Sequence, residues 1–205
     1  MKNTTVRLPG SMQLNEYLLV LQPPPDIDEK VKAIRNYFAD TYDHAPSRSG
    51  RPHFTLVKFR HHAMQEDRLR RKFERIAGMQ QPFLMELRDY GSFPSHTIYI
   101  QVSVKDAFRA LVKELRTETQ RMMKTDKENK PHFILEPHLT IARKLKPWQY
   151  EKGWPEFQQL DFSAKFIASS FCWLRRSEEG MPYQVIGNFS FRSQPVEATQ
   201  ATLFT

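Results

Sequence analysis

The chain has 205 residues, and its 31 Lys and Arg against 23 Asp and Glu give a formal charge of +8. With 40% hydrophobic and 26% charged residues the composition is that of an ordinary globular protein, which excludes a disordered or collagen-like chain. A chain this long can bury a core that needs no disulfide or metal staple. The single Cys172 excludes an intramolecular disulfide and fits a reducing, cytoplasmic setting.

The first ten residues lack the continuous apolar region of a secretory signal. The longest early apolar run, residues 17–21, falls far short of the roughly 20 residues a bilayer needs, so no membrane segment is expected. That run reads as a buried strand stopped by Pro23-Pro24-Pro25. Asp26 or Asp28 can then cap a helix on which Val31, Ile34, Phe38 and Tyr42 form the apolar stripe, with Lys30, Lys32 and Arg35 facing out. Residues 44–52 read as a loop, 53–59 as a strand and 68–77 as a helix ending at Gly78. Residues 83–87 and 97–102 read as strands that pair across 90–95. The longest helical signal, 105–122, carries Phe108, Leu111, Val112, Leu115, Thr119 and Met122 on one stripe. After a charged loop at 126–131 come a strand at 139–142 and a weaker helix at 147–157. Two long alternating strands, 164–174 and 183–191, are joined by a hairpin turn around Gly180. Residues 1–15 and 195–205 are expected to be flexible ends. The pattern predicts one α+β domain with helices packed against mixed or antiparallel sheets, and strand, helix and strand recur on both sides of residue 100.

Two segments share a pattern. Pro52-His53-Phe54-Thr55-Leu56 and Pro137-His138-Leu139-Thr140-Ile141 both read Pro-His-apolar-Thr-apolar, and both open a strand after a loop. A bare His-x-Thr arises about 0.4 times in a random chain of this composition, so one copy says little and the matched repeat is the signal. Residues two apart on a strand share a face, so each segment offers an imidazole beside a hydroxyl. Brought together in a basic cleft, the hydroxyls of Thr55 and Thr140 can donate to phosphate oxygens. The imidazoles of His53 and His138 can then take and give a proton on opposite sides of one phosphorus. No metal or other cofactor is required. A sequence pI near 9.6 agrees with an anionic partner, phosphate-bearing ligands and nucleic acid first.

The paired motifs, 85 positions apart, resemble the 2H phosphoesterase superfamily, in its bacterial and archaeal 2'-5' RNA ligase and cyclic phosphodiesterase branch. The closest likeness is in His138-Leu139-Thr140-Ile141-Ala142-Arg143. The resemblance implies two pseudo-symmetric, intertwined lobes of antiparallel sheet with helices outside and a central cleft. It implies hydrolysis of 2',3'-cyclic phosphodiesters on an RNA terminus or a cyclic nucleotide, with 2'-5' ligation in some members. It makes His53 and His138 the acid–base pair and Thr55, Thr140 and Arg143 the phosphate binders. Simple alternation puts Arg143 on the face opposite His138, so it reaches the phosphate only where the strand ends or bulges. No obligatory protein partner is implied, and a monomer suffices.

Other features carry alternatives. A non-catalytic RNA- or nucleotide-binding module would keep the same fold, and a metal-dependent hydrolase would draw on His44, His61 and His62. His132 imitates the first motif without its threonine and reads as structural or exposed. The basic stretch 67–75 reads as a solvated helix face. Arg51, Lys144 and Lys146 are placed to rim a cleft, Phe93, Tyr99 and Trp173 are candidate base platforms, and Cys172 reads as packing.

Overall fold

The computed structural model of the protein describes residues 14–192. In chain order the elements are β1 (Leu14–Leu21), α1 (Pro25–Thr41), β2 (Phe54–His62), α2 (Glu66–Met79), β3 (Phe83–Phe93), β4 (Thr97–Val102) and α3 (Asp106–Met123), followed by β5 (His132–Phe133), β6 (His138–Arg143), α4 (Pro147–Phe157), β7 (Ser163–Ala168), β8 (Ser170–Arg176) and β9 (Gln184–Ser190). Leu14 and Asn15, expected in a flexible end, belong to β1, while residues 1–13 and the whole of 195–205 lie outside the described residues. The loop expected at 44–52 contains a 3-10 turn, Ala45–Arg48.

The strands form two sheets, ordered β5-β2-β1-β8-β9 and β6-β4-β3-β7, with every pairing antiparallel. This is the α+β architecture that the sequence pattern predicts, in the two-lobed form that the resemblance implies. Each motif strand is backed by a helix from the other half of the chain. α1 follows β1 of the first sheet yet packs on β6 of the second, while α3 follows β4 of the second sheet yet packs on β2 of the first. α2 packs on β9 and α4 on β4, within their own lobes. One apolar core runs through both lobes, and Phe54 of β2 stacks on Phe166 of β7 with ring centroids 6.0 Å apart. Residues 17, 19 and 21 of β1 face that core, while Leu18 and Val20 face the opposite side with Cys172 and Leu174, as strand alternation requires.

Three readings need correction. The helix cap is Pro24, with Pro25 in the first turn where its missing N–H costs nothing, and neither aspartate caps; Asp28 is buried and pairs with Lys32 at 2.7 Å. Arg35 does not face out: it is 6% exposed, because i+4 from Val31 places it on the buried stripe. The single strand expected over 164–174 is two, β7 in the second sheet and β8 in the first, with the chain crossing between lobes at Ser169. The β8–β9 hairpin stands, and Gly180 takes a φ of 89° in its turn, a conformation that favours glycine.

Candidate active site

His53 immediately precedes β2, and His138 is the first residue of β6. The two rings are anchored identically. His53 Nδ1–H donates to the carbonyl of Arg51 at 2.8 Å, and His138 Nδ1–H donates to the carbonyl of Glu136 at 2.9 Å, each two residues upstream. A carbonyl oxygen can only accept, so each Nδ1 carries a proton and each Nε2 is the atom that gains or loses one. Both rings are half-buried, as are Thr55 and Thr140, and no described residue engages either threonine hydroxyl.

A bulge follows each threonine. Val20 of β1 opposes Thr55 and Leu19 opposes Val57, so Leu56 is the extra residue on β2. Tyr99 of β4 opposes Thr140 and Ile98 opposes Ala142, so Ile141 is the extra residue on β6. An extra residue resets the alternation, so the residue three after each threonine shares its face. On β6 that residue is Arg143, brought to the face of His138 and Thr140 across from Thr97. On β2 it is Lys58, across from Leu18. The repeat is therefore six residues long, His-Phe-Thr-Leu-Val-Lys against His-Leu-Thr-Ile-Ala-Arg, ending on an exposed cation in both copies. Lys58 lies beyond the Pro-His-apolar-Thr-apolar pattern, which ends at Leu56.

β2 and β6 approach each other across the lobes. Burial holds the His53 imidazole below its ordinary pKa of 6.5, and the positive charges of Arg35, Arg143 and His138 push the same way against its carbonyl partner. Burial lowers His138 too, with the Glu136 carbonyl opposing. Arg35 ties the two motifs together. Its Nε and Nη2 donate to the Thr140 carbonyl at 2.9 and 2.5 Å, and its Nη1 donates to the Gly50 carbonyl at 3.0 Å, three residues before His53. Burial brings its pKa down to about 10 against the favourable charge of Asp28.

Phe93 and Tyr99 flank His138, with ring centroids 5.1 and 5.3 Å from the imidazole and 4.7 Å from each other. They line a small cleft with Gln101, Lys105, Glu136 and His138. Gly91 makes room for this arrangement, since a Cβ there would meet the Tyr99 ring at 2.7 Å. Trp173 is fully buried and belongs to the core. A cavity of about 220 Å³ lies away from both motifs, lined by Asn15, Arg175 and Gln184 among others.

The remaining candidates are otherwise engaged or peripheral. His61 Nε2 meets the Met122 carbonyl at 2.9 Å, and His44 Nδ1 meets Ser47 Oγ at 2.7 Å. Among the described residues no three or more His, Cys, Asp or Glu side chains gather to hold an ion. His132 is exposed on β5, opposite Lys58. On α2, Arg70 donates to the Ile186 carbonyl at 2.6 Å, and Lys72 and Arg75 pair with Glu118 at 3.0 and 2.7 Å. Cys172 is buried, with Sγ 3.4 Å from Gln22 Oε1. Arg51, Lys144 and Lys146 are exposed beside the motifs, and Arg51 lies 3.7 Å from Asp28. Among the described residues no helix is long and apolar enough to cross a membrane.

Two interlocked lobes, each presenting a His-x-Thr strand to the other, define a two-histidine phosphoesterase architecture. A family model for the 2'-5' RNA ligase superfamily matches residues 23–180. The chain belongs to that superfamily, a class of phosphoesterases and ligases. A Geobacillus kaustophilus (strain HTA426) protein named as a phosphoesterase is 25% identical over 169 residues, covering 80% of this chain and 90% of that one. Among solved structures, TT0787 of Thermus thermophilus aligns with a TM-score of 0.61 at 19% identity, over 88% of this chain and all of that one. LigT of E. coli complexed with 3'-AMP aligns with a TM-score of 0.62 at 16% identity, over 87% of this chain and 99% of that one. These two likenesses establish the fold.

Proposed function

We propose that the protein hydrolyses 2',3'-cyclic phosphodiesters at RNA ends or on nucleotides, with His53 as general base and His138 as general acid. The observation that carries the reading is the matched anchoring of both Nδ1 atoms, which leaves each Nε2 free to take up or release a proton in a site that also holds two unengaged threonine hydroxyls. The named ligand of the LigT structure, 3'-AMP, is consistent with a nucleotide-sized substrate.

Burial first, and then the charges of Arg35, Arg143 and His138, favour the neutral form of His53, which suits the base role and leaves the acid role to His138. Its Nε2 takes a proton from water while the water oxygen bonds to phosphorus. The bond from phosphorus to one ribose oxygen breaks, and that oxygen takes the proton from His138 Nε2, leaving a phosphomonoester. Thr55 and Thr140 donate to the non-bridging oxygens, and Arg143 balances charge accumulating there. A 5'-hydroxyl in place of water would form a 2'-5' linkage by the same proton transfers when the bond to the 3'-oxygen breaks. No step passes through a metal, and one chain supplies every group.

Hydrolysis of a 2',3'-cyclic nucleotide in EDTA tests this. Wild type should turn over undiminished, while His53→Ala and His138→Ala should each lose about 10²–10⁴-fold in kcat. Full turnover in either variant would remove the mechanism, and binding without turnover in wild type would favour a non-catalytic module.

A further inference from the structure

We propose that Lys58, with Arg60 and Arg176, forms a second phosphate subsite, for a phosphate one nucleotide away from the reacting one. The inference rests on the reading above and adds to it a preference for substrates with a second phosphate. It starts from the six-residue repeat: Lys58 stands in the first motif where Arg143 stands in the second, after the same bulge and on the same face as its threonine.

The surroundings of Lys58 set it apart from a lone surface lysine. Glu16 of β1 is 7% exposed and lies beneath a ring of donors. Lys58 Nζ meets Glu16 Oε2 at 2.8 Å, Arg60 Nε lies 3.9 Å from the same oxygen, and Arg176 and the Tyr183 hydroxyl both donate to Oε1. The Arg176 guanidinium also stands 4.7 Å over the Tyr183 ring. One carboxylate thus fixes three cations and leaves two positive charges uncompensated. The Lys58 and Arg60 side chains remain about half exposed, at 49% and 51%, with donors to spare. Burying a carboxylate to orient cations suits a site that awaits an anion.

Spacing identifies the ligand. Thr55 opposes Val20, Lys58 opposes Leu18, and Arg60 and Arg176 both oppose Glu16, so the cations begin two residues and end four residues along β1 from the threonine. That is about 7–14 Å along the sheet at roughly 3.4 Å per residue. Successive phosphates of one strand advance by about 3.4 Å along a stacked helix, and an unstacked, extended strand lengthens that step. A strand whose reacting phosphate is held at Thr55 can thus bring its next phosphate to Lys58, at the near edge of the cluster.

The test compares kcat/KM for three substrates: adenosine 2',3'-cyclic phosphate, the same nucleoside bearing an added 5'-phosphate, and the adenylyl dinucleotide ending in that cyclic phosphate. Wild type should favour the second or third over the first by about tenfold. A gain with the 5'-phosphate assigns the subsite to a terminal phosphate as well, and a gain with the dinucleotide alone assigns it to an internucleotide phosphate. Lys58→Ala should bring the ratio to within about twofold of one, and Lys58→Arg should restore it. Where loss of Lys58 destabilises Glu16, Arg60→Ala, removing the looser contact, should lower the ratio with less effect on folding. A wild-type ratio of one, or a ratio unchanged in both Lys58→Ala and Arg60→Ala, overturns the subsite while leaving the two-histidine reading intact. Failure of wild type to turn over any of the three overturns the reading beneath it.

Discussion

Replacing Arg35 by methionine keeps the length of the side chain and removes its charge and five donors. The carbonyl of half-buried Thr140 and that of exposed Gly50 lose their guanidinium partner. Water can replace the partner at Gly50, while the Thr140 carbonyl costs about 1–3 kcal/mol, partly offset because the desolvated guanidinium is itself gone. A net loss of about 1–3 kcal/mol follows, and at about 2–4 °C per kcal/mol for a chain of this size the midpoint should fall by about 3–10 °C. Thermal unfolding followed by circular dichroism reads that shift. Activity supplies an independent reading, because Arg35 is one of three cations that hold the His53 pKa down. In Arg35→Met the His53 pKa rises, so the acid limb of the rate profile moves to higher pH. Arg35→Lys keeps the charge but not the three hydrogen bonds, so kcat falls while the limb stays in place. A methionine variant melting within about 2 °C of wild type, with an unmoved limb, would refute the tie between the motifs.

Three further outcomes are expected. Burial lowers the pKa values of His44, His53, His61 and His138 below 6.5, so the unfolded chain binds protons more readily than the folded one. Stability should be level above pH 7 and fall as the pH drops through 6.5, levelling again below the folded values; a melting temperature constant from pH 7 to 5 would contradict this. Thr140→Val removes one donor to a charged oxygen and should cost about 10–100-fold in kcat/KM with little change in melting temperature. Gly91→Ala should push the Tyr99 ring aside at a cost of about 1–3 kcal/mol and raise KM more than it lowers kcat, as read by steady-state kinetics on a cyclic nucleotide.

The motif geometry was legible in the sequence because a short repeat on strands fixes which side chains share a face, and alternation needs no tertiary information. The helix expected over 147–157 has those bounds, since proline opens it and the apolar spacing ends at Phe157. Arg35 was misread by chemistry rather than position: its spacing from Val31 and Phe38 already put it on the buried stripe, but its charge suggested solvent. At the crossing the consecutive Ser169 and Ser170 break the alternation, a weak signal inside a long apolar stretch, and only pairing partners reveal that β7 and β8 serve different sheets. Bulges are equally silent in a single sequence, yet the basic residue at the sixth position of both motifs was in plain view and would have pointed to Lys58.

The reciprocal exchange of α1 and α3 has a bearing on how such a chain can be divided. Cut between β4 and α3, each fragment would carry a histidine strand stripped of the layer that covers it, and neither could close its own apolar surface. Mixed together, the pieces could heal only by re-trading those layers. Two copies of a half-length β-α-β-α unit, clasped by the same trade about a twofold axis, would arrange one histidine from each copy as the present chain arranges its two.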